Sequence, residues 1–221
     1  MNFYESKKRW GLITTIIMIF PLPFIGYLLK IYFNLTHNTL FYIGLPFYML
    51  LITGFYYTSI IALAVLIYKL HKPLKEGLFS VNSSEMSTWL SAQFVMQLME
   101  ILKNFQIPSS ILRRFYSNVF SRKIGKIMIM SGTIEHSLVD IGSNAIIGHS
   151  AEIWGHMIEG DKIYIRKVKI GSNCTIGTKS VVMPGAEIGN NTIVGACSLV
   201  PKNAKLDSNA VYVGVPVKRI R

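Results

Sequence analysis

The sequence predicts a mainly β protein: a parallel β-helix built from hexapeptide repeats, preceded by two transmembrane helices and short amphipathic helices. Three observations carry this. An aliphatic residue returns every six positions as Ile170, Ile176, Val182, Ile188, Val194 and Val200. Two long uncharged apolar runs occupy the first third of the chain, and lysines and arginines flank them.

The six-residue period fits neither a helix, which places apolar residues at i, i+3, i+4 and i+7, nor a lone strand, which alternates with period two. It is the period of a stacked solenoid, in which each turn covers the apolar row of its neighbour. Four of the six aliphatics are followed directly by glycine. Glycine, asparagine and serine suit tight corners, because glycine takes positive φ freely and asparagine does so better than most residues. Ile141 with Gly142, Ile147 with Gly148, and Ile153 continue the spacing, and Ile124 with Gly125 opens it. The β-helix is therefore expected over 124–221. Cys174 and Cys197 fall at positions for small core or corner residues, and are expected to stay reduced in a cytosolic domain.

Residues 1–75 read as a transmembrane hairpin. Gly11 to Leu29 runs nineteen residues without a charge, and Thr39 to Tyr68 runs thirty more. About 20 apolar residues cross a bilayer core. No small-residue cleavage site follows the first run and a second span comes at once, which disfavours a signal peptide. Pro21, Pro23 and Pro46 point to kinks or a re-entrant path. Lys7, Lys8 and Arg9 precede the first span, Lys69, Lys72 and Lys75 follow the second, and the loop between them carries only Lys30. The positive-inside rule then places both termini, and the β-helix, in the cytoplasm. An N-L-T triplet at Asn34 is read as a polar loop.

Residues 76–123 form a bridge. Asn82 is the expected cap of a helix with Glu85 three residues on, and Trp89, Leu90, Phe94, Leu98, Met99, Ile101 and Leu102 make its apolar face. Pro108 ends it, and a second helix is expected from Ser110 to Phe120 with Arg113 and Arg114 opposite Ile111, Phe115 and Val119. Such helices lie in the headgroup plane or cap the end of the solenoid. Net charge is +12. The basic residues, including Arg122, Lys123 and Lys126, cluster beside apolar segments, so anionic lipid is the expected partner, and no nucleic-acid motif appears.

The ladder breaks once, between Ile153 and Ile170, where the chain reads WGHMIEGDKIYIRKVK. Insertions in solenoids fall on loops of one face, often the binding face, and this one carries His156, Glu159 and Asp161. Residues 124–221 resemble the left-handed β-helix acyltransferases of the hexapeptide-repeat family, and the closing YVGVPVKRIR is similar to that family's terminal signature. The phrase TIEHSLVDIG, followed by GHMIEGDKI, resembles more closely the terminal hexapeptide domain of membrane-bound peptide-synthetase-like proteins. The resemblance implies acyl transfer from acetyl-CoA or another acyl-CoA to a hydroxyl or amine, by a homotrimer whose catalytic histidine lies at a subunit junction.

His156 matches that histidine. An imidazole titrates near neutrality, so it can take the acceptor's proton and return one to the departing thiolate. A carboxylate can hold its tautomer, and Glu159 is the expected one. His149, at a corner after an Ile-Gly pair, is the rival base, and His136 is more peripheral. The resemblance further implies that CoA lies between adjacent β-helices, with Thr178 at the pantetheine, Ala196 as a small residue facing it, Lys202 near the phosphates, and Lys218 and Arg221 on the basic terminal positions. The chain departs from the pattern at Pro201, Val215 and Val217, and the family's asparagine partner is not evident. A γ-class carbonic anhydrase would bind zinc through three histidines, but His136, His149 and His156 are spaced thirteen and seven apart, so no metal is expected. An inactive trimeric scaffold is the other alternative. An anchor suits an acceptor that is itself lipid-linked.

Overall fold

The computed structural model describes residues 12–35, 40–71, 73–103 and 108–221. Lys7, Lys8, Arg9 and Lys72, on which the expected orientation partly rests, lie outside the described residues, as does the 36–39 stretch between the apolar runs. The first run forms α1 (12–19) and α2 (Leu22–Leu35), separated by a turn at Phe20 and Pro21. A proline has no N–H to give and breaks the helical ladder there. The second run is α3 (Leu40–Leu70), with Pro46 inside the helix. By length and composition, Leu12–Tyr32 and Gly44–Leu70 could each cross a membrane, and little of either is buried by protein.

The bridge contributes β1 (Gly77–Ser80), α4 (Ser84–Lys103) and α5 (Ser109–Phe120). Ser83, not Asn82, caps α4: its hydroxyl accepts the Met86 N–H at 3.2 Å, and the first helical bond runs from Ser87 to the Ser83 carbonyl. Pro108 is the N-cap of α5 and Ser121, at φ 52°, ends it. Ala92, Val95, Leu98 and Met99 of α4 pack with Leu112, Tyr116 and Phe120 of α5 and with Ile17, Ile60, Ile61 and Ala64 of the apolar runs. Both bridge helices therefore cap protein with their apolar sides.

From residue 124 onward the chain coils into a three-sided parallel β-helix. Each coil lays one short strand in each of three parallel sheets. Face one holds β2 (Met128–Ile129), β5 (Ile146–Ile147), β10 (Thr175–Ile176), β13 (Ile193–Val194) and β16 (Val211–Val213). Face two holds β3 (Thr133–Ile134), β6 (Glu152–Ile153), β11 (Val181–Val182) and β14 (Leu199–Val200). Face three holds β4 (Val139–Ile141), β9 (Val168–Ile170), β12 (Glu187–Ile188) and β15 (Lys205–Leu206). The predicted ladder is the interior: Ile147, Ile153, Ile176, Val182, Val194 and Val200 are fully buried, and Leu206 and Tyr212 extend the column.

The corners explain the small and polar residues. Between faces three and one, Asn144, Asn173, Asn191 and Asn209 all adopt φ between 55° and 60°. Each of the first three donates its side-chain amide to the next at 3.2, 3.1 and 2.9 Å. Asparagine supplies both the left-handed backbone and the coil-to-coil bond. Gly177 is needed for approach: a Cβ there would stand 2.5 Å from the Ala196 backbone nitrogen.

The faces differ outside. Asp140, Lys169, Glu187 and Lys205 stand in register on face three. There Lys169 holds the Glu187 carboxyl below its usual range by a 2.9 Å hydrogen bond and by its charge. On face one the same outward column is Met128, Ile146, Thr175, Ile193 and Val211.

The two cysteines have opposite environments. Cys174 is buried in the column, and burial pushes its thiol up, whereas Cys197 is exposed at a corner. Because the thiolate is the reactive form, N-ethylmaleimide should modify Cys197 rapidly and Cys174 only on unfolding. Mass spectrometry of the two peptides checks this; equal labelling of both under native conditions would mean that the coil opens.

Candidate functional site

The interruption is a β-hairpin rather than a loop. After β6 the chain leaves the corner between faces two and three and forms β7 (His156–Glu159) and β8 (Lys162–Ile165), turning at Gly160 with φ 60°. It rejoins at β9, so Asn144 and Asn173 are 29 residues apart where neighbouring coils are 18 apart. β1 pairs with β8, Gly77 opposite Ile165, completing a three-stranded antiparallel sheet. Met86, Trp89, Leu138, Ile163 and Ile165 form a second small core beneath it.

At the root of the hairpin lies Glu135, fully buried, directly after β3. Its Oε2 accepts the Gly155 N–H at 2.7 Å and meets His156 Nδ1 at 2.8 Å. Its Oε1 accepts Trp89 Nε1 at 2.8 Å and the Gln93 amide, both from α4. Indole, amide and peptide N–H groups only donate here, so the carboxylate acts as acceptor to every partner and Nδ1 carries the hydrogen toward it. Gly155 is required at this point, since a Cβ would fall 2.2 Å from Leu138 Cβ.

The His156 ring is held on its faces and edges as well. Trp89 lies 4.4 Å away between ring centroids and Trp154 5.8 Å away at 89°. With Nδ1 committed to Glu135, Nε2 is the ring's remaining nitrogen, and His156 lines an open cavity of about 360 Å³ with Trp154, Met157, Val181, Met183 and Pro184. The side chain keeps 18% of its surface exposed. A buried acceptor that orients the ring, on a side chain that still lines an open cavity, suits a proton-transfer imidazole.

Glu159, the expected partner, does not reach the ring. It sits near the hairpin tip and pairs with Lys202 at 3.2 Å. Two residues assigned separate roles from sequence, His partner and phosphate base, therefore hold each other. Glu135 was visible in the sequence inside TIEHSLVDIG, but nothing local marks it as the residue that meets a histidine 21 positions on.

The remaining candidates divide between the edges of face two. His149, Thr178 and Ala196 stack at the edge shared with face one: Lys179 N donates to the His149 carbonyl at 2.9 Å and Cys197 N to the Thr178 carbonyl at 2.8 Å. All three are exposed. His149 Nδ1 contacts the Ser131 hydroxyl. His156, Glu159 and Lys202 lie at the opposite edge, toward face three. Lys218 and Arg221 are exposed at the last coil, Lys218 in β17 (Lys218–Arg219) and Arg221 accepting the Val211 N–H at 2.9 Å through its carbonyl. His136 stacks on Tyr116 at 4.1 Å. The three histidines thus take three different partners, and no group of three or more His, Cys, Asp or Glu among the described residues could hold a metal ion.

The chain is by fold a three-sided parallel β-helix solenoid whose one interruption carries a histidine. Residues 167–202 match the family described as bacterial transferase hexapeptide (six repeats), and that repeat implies a left-handed coil. No curated protein matches the chain. Among solved structures, a hexapeptide-repeat acetyltransferase from Vibrio cholerae O1 biovar eltor, complexed with acetyl coenzyme A, is similar over 69% of this chain and 96% of its own, with a TM-score of 0.50 and 18% identity. A maltose O-acetyltransferase from Clostridium difficile 630 is similar over 51% and 82%, with a TM-score of 0.39 and 20% identity. An N-acyltransferase from Bacillus cereus, in complex with dTDP and 3-hydroxybutyryl-CoA, is similar over 52% and 88%, with a TM-score of 0.36 and 20% identity.

Replacing Glu135 by alanine should strip the acceptor from Trp89, Gln93, Gly155 and His156 together, lowering stability by roughly 2–4 kcal/mol. Glu135→Gln should recover part of the loss. Urea unfolding of the detergent-solubilised chain checks both; a Glu135→Ala midpoint equal to wild type would remove Glu135 as the organising group.

Proposed function

We propose that the protein is a membrane-anchored, CoA-dependent acyltransferase, moving an acyl group, most simply acetyl, to a hydroxyl or amine of a sugar or lipid-linked acceptor, with His156 as general base. The observation that carries this is the Glu135–His156 pair on the wall of an open groove. Glu135 orients the ring through Nδ1, Nε2 takes the acceptor's proton, and the same nitrogen then protonates the departing thiolate. The buried carboxylate balances the imidazolium while it exists.

Acyl-CoA fits the remaining features in part. The exposed corner column of Thr178 and Ala196 carries small side chains over which a slender pantetheine arm can lie, and Lys218 and Arg221 offer cations for phosphates. Lys202 serves less directly, being engaged by Glu159. The corner column and His156 occupy opposite edges of face two, so one chain alone does not close a site around a thioester. A homotrimer that sets the corner column of one copy beside the His156 groove of the next would close it. The apolar helices and the lysines and arginines beside them support a bilayer anchor with the β-helix on the cytoplasmic side.

His149 is the second reading, favoured by its place on the same corner as Thr178 and Ala196. His156→Ala should lower turnover of acetyl-CoA with an accepted sugar by about 10²–10⁴-fold, while acetyl-CoA binding stays within about twofold and His149→Ala retains most turnover. Full activity of His156→Ala would remove this mechanism; loss confined to His149→Ala would transfer the role.

A further inference from the structure

A second and larger cavity, about 550 Å³, lies between α5 and the first coil of the β-helix. Its walls are chiefly Leu112 and Tyr116 on one side and Ile127, Met128 and Met130 on the other, with Arg113 and Lys126 among the lining residues. No carboxylate lines it among the described residues. Met128 and Met130 are 58% and 63% exposed. Unbranched, polarisable methionines adapt to a flexible apolar ligand, and large exposed apolar surface of this kind marks an interaction site.

Two further relations narrow the occupant. Leu112 and Tyr116 also belong to the packed cluster that includes Ile60, Ile61 and Ala64 of α3, and Ile124 of the groove packs against it. The cavity therefore adjoins the helices that can cross a bilayer. His136, which also lines it, stacks on Tyr116 and is the residue next to Glu135, which grips His156. The groove and the proposed base share one segment of the first coil.

We propose that this groove binds a membrane-borne lipid phosphate, its apolar tail among Met128, Met130, Ile127 and Leu112 and its phosphate at Arg113 and Lys126, so that a head group attached to the phosphate reaches the acyl-transfer site. The assignment of the head group as acceptor rests on the acyltransferase reading; the lipid-binding claim does not. A volume in the range of small-ligand sites suits one tail. Apolar burial supplies affinity, and the two cations select the phosphate by charge-assisted hydrogen bonds.

The test uses the full chain in dodecyl maltoside, a photoreactive prenyl phosphate, and peptide mapping of the adduct. Label should fall within residues 110–131. Farnesyl phosphate should compete, farnesol should compete about tenfold more weakly, and inorganic phosphate should not compete. Arg113→Gln with Lys126→Gln should reduce labelling about tenfold, the loss of one to two charge-assisted contacts; Lys126→Gln alone, on an exposed side chain, should do so in part with no change in thermal midpoint. Label confined to the apolar helices, equal competition by farnesol, or labelling indifferent to both cations would overturn the proposal. So would a Met128→Glu variant that fails to bind the probe because its sedimenting mass has fallen, for the face would then belong to a second copy. Labelling that persists while acetyl-CoA turnover is absent would overturn the acyltransferase reading and leave the lipid site standing.

Discussion

A carboxylate with no exposed surface is expensive, and Glu135 is tolerable only because four donors surround it. Those donors come from three separated parts of the chain: Trp89 and Gln93 from the bridge helix, Gly155 from the corner of the second coil, His156 from the hairpin. Removing any one leaves charge less compensated in a dry site. The bridge helix, the first coil and the hairpin therefore cannot shift independently, and the His156 ring inherits its orientation from all three.

The β-helix behind this hub is a regular support. Stacked coils bury a column of aliphatics, and every special feature is displaced to an edge or face. The corner asparagines bind coil to coil, face three carries charge, face one carries exposed aliphatics, and the hairpin leaves from a single corner. On a fold of this kind chemistry resides in what is grafted onto the regular frame. Here the graft is tied to helices that pack on the apolar runs, which links the candidate chemistry to the apolar helices.

The interior was legible in the sequence because a coil imposes one period on every residue that faces inward. Ile141 through Val200 fell where the spacing put them, and Ile124 does pair with Ile141. What was not legible depended on contacts between distant segments. The interruption carries strand-forming residues, yet its pairing partner, Gly77–Ser80, lies nearly ninety residues upstream and has no alternating pattern of its own. Glu159 looked like the His156 partner because it is three residues away, but on a strand that spacing points the two side chains to opposite faces. Glu135 is close only after the coil closes. Asn82 and Ser83 are both good caps by type, and the turn entering α4 decided between them.

The central claim is that Glu135 aims His156 Nε2 at the place where a thioester is held. A structure of the full chain with acetyl-CoA in detergent measures this most directly. The account predicts the thioester carbonyl carbon within about 4 Å of the position an acceptor oxygen takes beside His156 Nε2, with the Nδ1–Glu135 contact intact. A thioester seated at His149, or a His156 ring swung away from Glu135 in the complex, would contradict it.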